Sequence, residues 1–189
     1  MIDFENIEEK LKETCESEEW KLLVQKFRDS KKIYIIGNGG LHFTAAHAAT
    51  DCSRLIPDKC CFSFDTTGFI TSLANDYDYG DLYINWLTSS SLPEESSDSL
   101  VIGMSCSGNS KNITRCLSWA KCRGFKTFMI SGRKSKRLES GLNEINLNCK
   151  YFHTVEVLCL ILFYQMIHEM GSECPTILKE IKRKDSWAV

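Results

Sequence analysis

Ser105, Cys106, Ser107 and Ser110 crowd into the stretch GMSCSGNSKN (Gly103–Asn112), directly after the apolar SLVI and directly before ITRCLSWAKCRG. Three hydroxyls, a thiol and a flexible Gly108 between a buried strand and a helix are what a phosphate ester needs. Glycine lets backbone N–H groups converge, and a helix beginning near Ser110 adds unpaired amides and the positive end of its dipole. No lysine of the nucleotide-triphosphate loop type follows, so a nucleoside triphosphate is not the expected ligand. The same residues would also serve as a capped helix entry, with Ser107 or Ser110 as N-cap.

A second turn of this kind ends KKIYIIGNGG. Asn38, Gly39 and Gly40 would bring backbone amides close to a ligand, or form only a tight strand-to-helix turn. His47 and Asp51 lie four apart on the following segment and so share a helix face. Later in the chain His153, Glu156 and Cys159 or Leu160 recur at three-residue spacing along another helix. If the two stripes meet, carboxylates, an imidazole and a thiolate would form a cluster able to run a proton transfer or hold a divalent metal. For Cys159 taken alone, plain core packing is the expectation.

These side chains need elements to position them. Phe4, Ile7, Leu11 and Cys15 recur at helical spacing, as do Trp20, Val24 and Phe27. KKIYIIG, CCFSF, SLVIGM, FKTFMIS and LNEINLN read as strands. Between them lie LHFTAAHAATDCSRL, with Leu41, Ala45, Ala48 and Cys52 on one face, then TTGFITSLANDYDYGDLYINWLTSS, and SKNITRCLSWAKCRG closed by Gly124. HTVEVLCLILFYQMIHEMG gives a long, largely buried helix ending at Gly171, LPEESSDS reads as a loop, and the tail beyond Pro175 has room for one more helical stretch. Strands alternating with helices specify an α/β fold, a three-layer sandwich with a mostly parallel sheet flanked by helices and an N-terminal helical extension. Such sheets bind ligands at the carboxyl ends of their strands, where both glycine-containing turns fall.

The 189 residues suffice for one domain. Within it, residues 1–30 are expected as oligomerising helices, 31–171 as the ligand-binding core and 172–189 as a tail. A net charge of −2 argues against a nucleic-acid or acidic-membrane partner. The densest basic run, GRKSKR (Gly132–Arg137), lacks interleaved aromatics and reads as a solvated loop. The ten cysteines include no Cys-x-x-Cys pair and suit small hydrophobes in a reducing cytoplasm. The acidic amphipathic start is unlike a signal peptide, and Val155–Ile167 is too short to span a bilayer. A cytoplasmic location is the expectation.

IIGNGGLHFTAAHAATD, SLANDYDYGDLY and GMSCSGNSKNI together resemble the sugar isomerase (SIS) domain, in its phosphoheptose isomerase branch. The likeness runs over roughly Ile33 to Met170. It implies a sugar phosphate held by Ser105, Ser107 and Ser110, with Cys106 where the family usually has threonine. It also implies Asn38, Gly39 and Gly40 lining the sugar, Asn75 and Asp76 approaching from the next segment, and a homotetramer built partly by the N-terminal helices. The family moves a proton between C1 and C2 of a ketose or aldose phosphate through an enediol, using a glutamate and a histidine, and some members bind zinc beside them. Sedoheptulose 7-phosphate would be the substrate, and heptose precursors of surface polysaccharide the product.

The chain departs from that pattern at three points. Leu41 replaces a serine, Asp51 falls at the glutamate position, and three alignments put Glu156, Leu158 or Cys159 at the histidine. The resemblance therefore leaves Asp51 as base, Glu156 as second acid–base group and His47 as a polarising or metal-holding group, with His47, Asp51 and Glu156 as the candidate metal set. These should converge in one cleft beside the serine turn, within the chain or across a subunit boundary. The alternative is a non-catalytic sugar-phosphate-binding or assembly module on the same fold.

Overall fold

The computed structural model describes residues 4–91 and 93–176. Two helices come first, α1 (Ile7–Glu16) and α2 (Glu18–Arg28). The Ser17 hydroxyl caps α2 by accepting from the Trp20 amide at 3.1 Å. Glu18 and Glu19 in its first turn, with Lys26 and Arg28 in its last, match the helix dipole. There follow β1 (Lys32–Gly37), α3 (Gly40–Leu55), β2 (Cys60–Ser63), α4 (Thr67–Asp76) and α5 (Leu82–Ser90). The chain then continues through β3 (Ser99–Ser105), α6 (Lys111–Cys122), β4 (Lys126–Ser131), β5 (Glu144–Asn146) and α7 (Phe152–Glu169). The strands and helices expected from hydrophobic period are all present. The LPEESSDS loop contains a 3-10 helix over Pro93–Asp98, and the expected helical tail falls largely outside the described residues.

The five strands form one parallel sheet in the order β2-β1-β3-β4-β5. Alternation along each strand divides the core in two. Ile33 and Ile35, with Leu100, Ile102 and Met104, face one layer that includes Trp20, Phe27, Leu41, Leu158 and Leu162. Tyr34, Ile36 and Val101 face the other, with Tyr83, Trp86, Ile113 and Leu117. Side chains on successive strand residues point to opposite faces, so a sheet covered on both sides needs continuous apolar strands, which these are.

The N-terminal helices are not a loose extension. Trp20 is 1% exposed and Phe27 fully buried against the core, so the helix expected for oligomerisation spends this face on its own chain. Ile7 and Leu11 are half-buried against the same layer, and Phe4 remains 41% exposed.

The chain reverses its winding direction between β1 and β3: β1 leads to β2 on one side, β3 to β4 and β5 on the other. Gly37, at the end of β1, is in register with Met104, one residue before the end of β3. The two turns singled out in the sequence are therefore neighbours at a topological switch point, the usual ligand crevice of such sheets. α6 approaches β3 closely at Gly103, where an added Cβ would stand 2.7 Å from Ile113 Cγ2 and 3.0 Å from Leu117 Cδ1. Gly103→Val is expected to lower stability by about 1–3 kcal/mol through overpacking, read as a reduced urea midpoint with an unchanged m-value.

Candidate active site

The cleft at the switch point has a volume of about 270 Å³ and is lined from both turns: Asn38, Gly39, Gly40 and Leu41 on one side, Ser105, Cys106, Ser107 and Ser110 on the other. Phe152 and Glu156, from the first turns of α7, complete it with Met104.

The serine turn folds back on itself. Gly108 (φ +70°) donates its amide to the Ser105 carbonyl at 3.1 Å, and the Ser105 and Ser110 hydroxyls lie 2.9 Å apart. Ser110 holds the N-cap position of α6, yet its side chain forms no cap hydrogen bond. The Ser107 hydroxyl accepts from the Asn109 amide at 3.2 Å. The first amides of α6 thus go without a side-chain cap from either serine, and such amides require satisfaction from outside the helix. This favours the anion cradle over the plain capped entry.

Asn38 ties the two turns together. Its amide exchanges hydrogen bonds with Asn112, Nδ2 to Oδ1 in each direction at 2.9 Å. The Tyr83 hydroxyl stands 3.2 Å from Asn38 Oδ1 and also meets the Gly37 carbonyl, while the Tyr79 hydroxyl lies 3.4 Å from that same Oδ1. Burial holds the Tyr83 phenol well above its ordinary pKa, so it remains a donor. Sequence reading missed Asn112, Tyr79 and Tyr83. Nothing local marks them, because their partner is on another strand.

Glu156 reaches the cleft, its carboxylate lying against Gly40 so closely that any Cβ there would collide with it. Cys106 faces the same space. Burial first, then the Glu156 charge, push its thiol up to about 11. Cys159 is fully buried core, as its packing reading held.

His47 and Asp51 do not join Glu156. They line α3 beyond the cleft, His47 seven residues after Gly40 and so roughly 10 Å further along the helix axis. There His47 Nε2 lies 3.1 Å from Asp51 Oδ2 and 3.0 Å from the Tyr164 hydroxyl of α7, and Arg54 binds Asp51 Oδ1 at 3.0 Å. Tyr164 is another residue the sequence did not flag. Among the described residues no group of three histidine, cysteine or acidic side chains is placed to hold a metal, so convergence of His47, Asp51 and Glu156 within one chain is corrected. The helical rise separates them. Asn75 and Asp76 are exposed at the end of α4, where Asn75 Nδ2 donates to Asp76 Oδ1 at 2.9 Å, and they do not line the cleft.

No family model matches the sequence. Individual proteins do. Phosphoheptose isomerase of Helicobacter pylori (strain P12) is 30% identical over 141 residues, 71% of this chain and 68% of that protein. Phosphoheptose isomerase of Tolumonas auensis is 27% identical over 135 residues, covering 69% and 68%. In three dimensions the chain matches phosphoheptose isomerase GmhA from Neisseria gonorrhoeae, with a TM-score of 0.72 at 17% identity over 89% of this chain and 92% of that one. A phosphoheptose isomerase from Francisella tularensis gives 0.74 at 14% identity, over 89% and 94%. The fold is therefore the α/β fold of the sugar isomerase (SIS) domain. With the Helicobacter relative, the chain belongs to the phosphoheptose isomerase family.

The thiol provides a direct check on the cleft. Cys106 should alkylate at pH 8 more slowly than the exposed Cys60 and Cys122, with a rate that climbs as pH approaches about 11. Glu156→Gln removes a neighbouring negative charge and should speed alkylation of Cys106 at pH 8. Peptide mapping by mass spectrometry measures it, and an unchanged rate would separate the two side chains.

Proposed function

We propose that this chain is an aldose–ketose isomerase of the sedoheptulose 7-phosphate type, moving a proton between C1 and C2 through an enediol. The observation that carries the reading is the Ser105–Ser110 turn opening onto the uncapped start of α6, opposite Gly39–Gly40 and beneath Glu156. The phosphate sits among the three serine hydroxyls and the first amides of α6, and the sugar runs across the backbone of Gly39 and Gly40.

Glu156 is the acid–base group of the cleft, since a carboxylate can take a proton from one carbon and return it to its neighbour. C1 and C2 are bonded to each other, so the groups that serve them must meet in one cleft. Asp51 lies eleven residues after Gly40, roughly 16 Å along α3 and away from the Glu156 of its own chain. Asp51 as base, and His47, held by Asp51 and Tyr164, as the group that polarises the substrate oxygens, therefore serve a cleft completed across a subunit boundary. His47 and Asp51 have no third protein ligand of ordinary zinc type beside them among the described residues. The residues of one chain do not fit a zinc centre, and no step is assigned to zinc.

The exposed Phe43 (74%) and Phe152 (69%), on α3 and α7, support the homotetramer, in which they would be covered. No helix among the described residues is long and apolar enough to cross a membrane, and the reading places the enzyme in the cytoplasm.

The reading is tested by incubating purified protein with sedoheptulose 7-phosphate and following the aldose phosphate by NMR. Turnover is expected, and Glu156→Gln should lower kcat by on the order of 10²–10⁴ with little change in KM. Binding without turnover would favour a non-catalytic sugar-phosphate-binding module. Ser107→Ala should weaken phosphosugar binding about tenfold or more, since a hydrogen bond to a charged group contributes roughly 1.5–3 kcal/mol. Calorimetric titration checks it, and an unchanged affinity would reduce Ser107 to a turn residue.

A further inference from the structure

The cleft has an unbalanced charge. Glu156 is the one charged residue among those lining it, so a phosphate dianion would enter a site whose only formal charge repels it. Hydroxyls and helix amides supply dipoles but no counter-ion. Two nearby cations are committed elsewhere: Lys111 Nζ stands 3.5 Å from Asp78 Oδ2, and Arg115 NH2 is 2.5 Å from Asp81 Oδ1.

The basic run 132–137 exposes its basic side chains to solvent, while its backbone is clamped to the serine turn. Gly132 donates its amide to the Ser105 carbonyl at 3.1 Å, and the Lys136 amide donates to Asn109 Oδ1 at 2.9 Å. The Arg133 carbonyl presses on Gly108, in space that any side chain at 108 would fill. Glycine there is thus required twice, for its positive φ and for this approach. A second chamber of about 190 Å³ adjoins the cleft, sharing Cys106, Ser107 and Phe152 with it; Arg133 and Lys150 line that chamber, with Lys150 Nζ 4.8 Å from the centroid of the Tyr151 ring. The Arg133 guanidinium forms no hydrogen bond or ion pair among the described residues. Its neighbour Lys134 lines a different groove, with Glu144 and Asn146.

We infer that Arg133 is a phosphate-binding residue, supplying from the side chamber the counter-charge that the serine turn lacks. The inference rests on the reading of that turn as the phosphate site. A guanidinium presents paired donors matched to a phosphate oxygen edge, which a serine cannot. Arg133 therefore selects for the phosphorylated substrate, while Glu156 acts at the carbon chain. Asn109 and Gly108 are its positioning residues, because they fix the loop on the turn.

The test compares wild type, Arg133→Ala, Arg133→Lys and Lys134→Ala, titrated calorimetrically with sedoheptulose 7-phosphate and with inorganic phosphate at two salt concentrations. Arg133→Ala should weaken both ligands about tenfold or more and flatten the salt dependence of binding. In turnover it should raise KM by a similar factor and leave kcat within about twofold, the signature of lost uniform binding. Arg133→Lys should recover part of the affinity, and Lys134→Ala should match wild type. Wild-type affinity in Arg133→Ala, or an equal loss in Lys134→Ala, would overturn the inference. Wild type that binds both ligands but never isomerises would overturn the proposed reaction and leave the role of Arg133 standing, because binding is read separately. Failure of wild type to bind either ligand would overturn both.

Discussion

The reciprocal amide pair between Asn38 and Asn112 holds the site together. One residue follows β1 and the other lies in the first turn of α6, so their two hydrogen bonds fasten the glycine turn to the serine turn across the switch point. Asn112 is 3% exposed, and burial makes the pair consequential. Removing one partner leaves the other desolvated and unsatisfied, at a cost of about 1–3 kcal/mol. Tyr83 and Tyr79 crowd the same Asn38 oxygen, so the amide cannot rotate without losing several donors at once. The spacing between the serine turn and the glycine turn follows from this lock.

Electrostatics then divides the cleft. The start of α6 and the Ser105–Ser110 hydroxyls make one end attractive to an anion, and Glu156, against Gly40, makes the other end negative. The thiol of Cys106 registers both burial and that carboxylate. A ligand with an anionic tail and a neutral polyol head is oriented by such a field before any specific contact forms.

The α3–α7 seam extends this arrangement away from the sheet edge. Glu156 meets α3 at its first residue, and two turns later Tyr164 meets His47, with Asp51 and Arg54 completing the second cluster. Both contacts arise because α7 packs along α3 and its successive inward residues fall at different heights. One helix pair thus supplies two polar stations, and the departures from the family pattern, at Leu41, at Asp51 and at Glu156, Leu158 or Cys159, lie on it. Leu41 is buried core and also lines the cleft, which makes the glycine side of the cleft apolar at that point.

The sequence by itself determined the elements and the two turns. Hydrophobic period distinguished KIYIIG and SLVIGM as buried strands, and Leu41, Ala45, Ala48 and Cys52 as one buried helix face, because those signals act within a few residues. The serine and glycine turns were legible for the same reason, and their joint resemblance to one family indicated the fold. Tertiary structure alone decided which distant residues meet. Asn112 gains its role from a partner 74 positions away, available only because β3 is laid beside β1. Trp20 is covered because α2 packs on the sheet, although its helix pattern would suit an interface equally. Glu156 joins the cleft while Asp51 does not, since a rise of about 1.5 Å per residue carries Asp51 away from the turn. The basic run at 132–137 is solvated in its side chains, as composition indicates, but composition does not record the glycine against which its backbone rests.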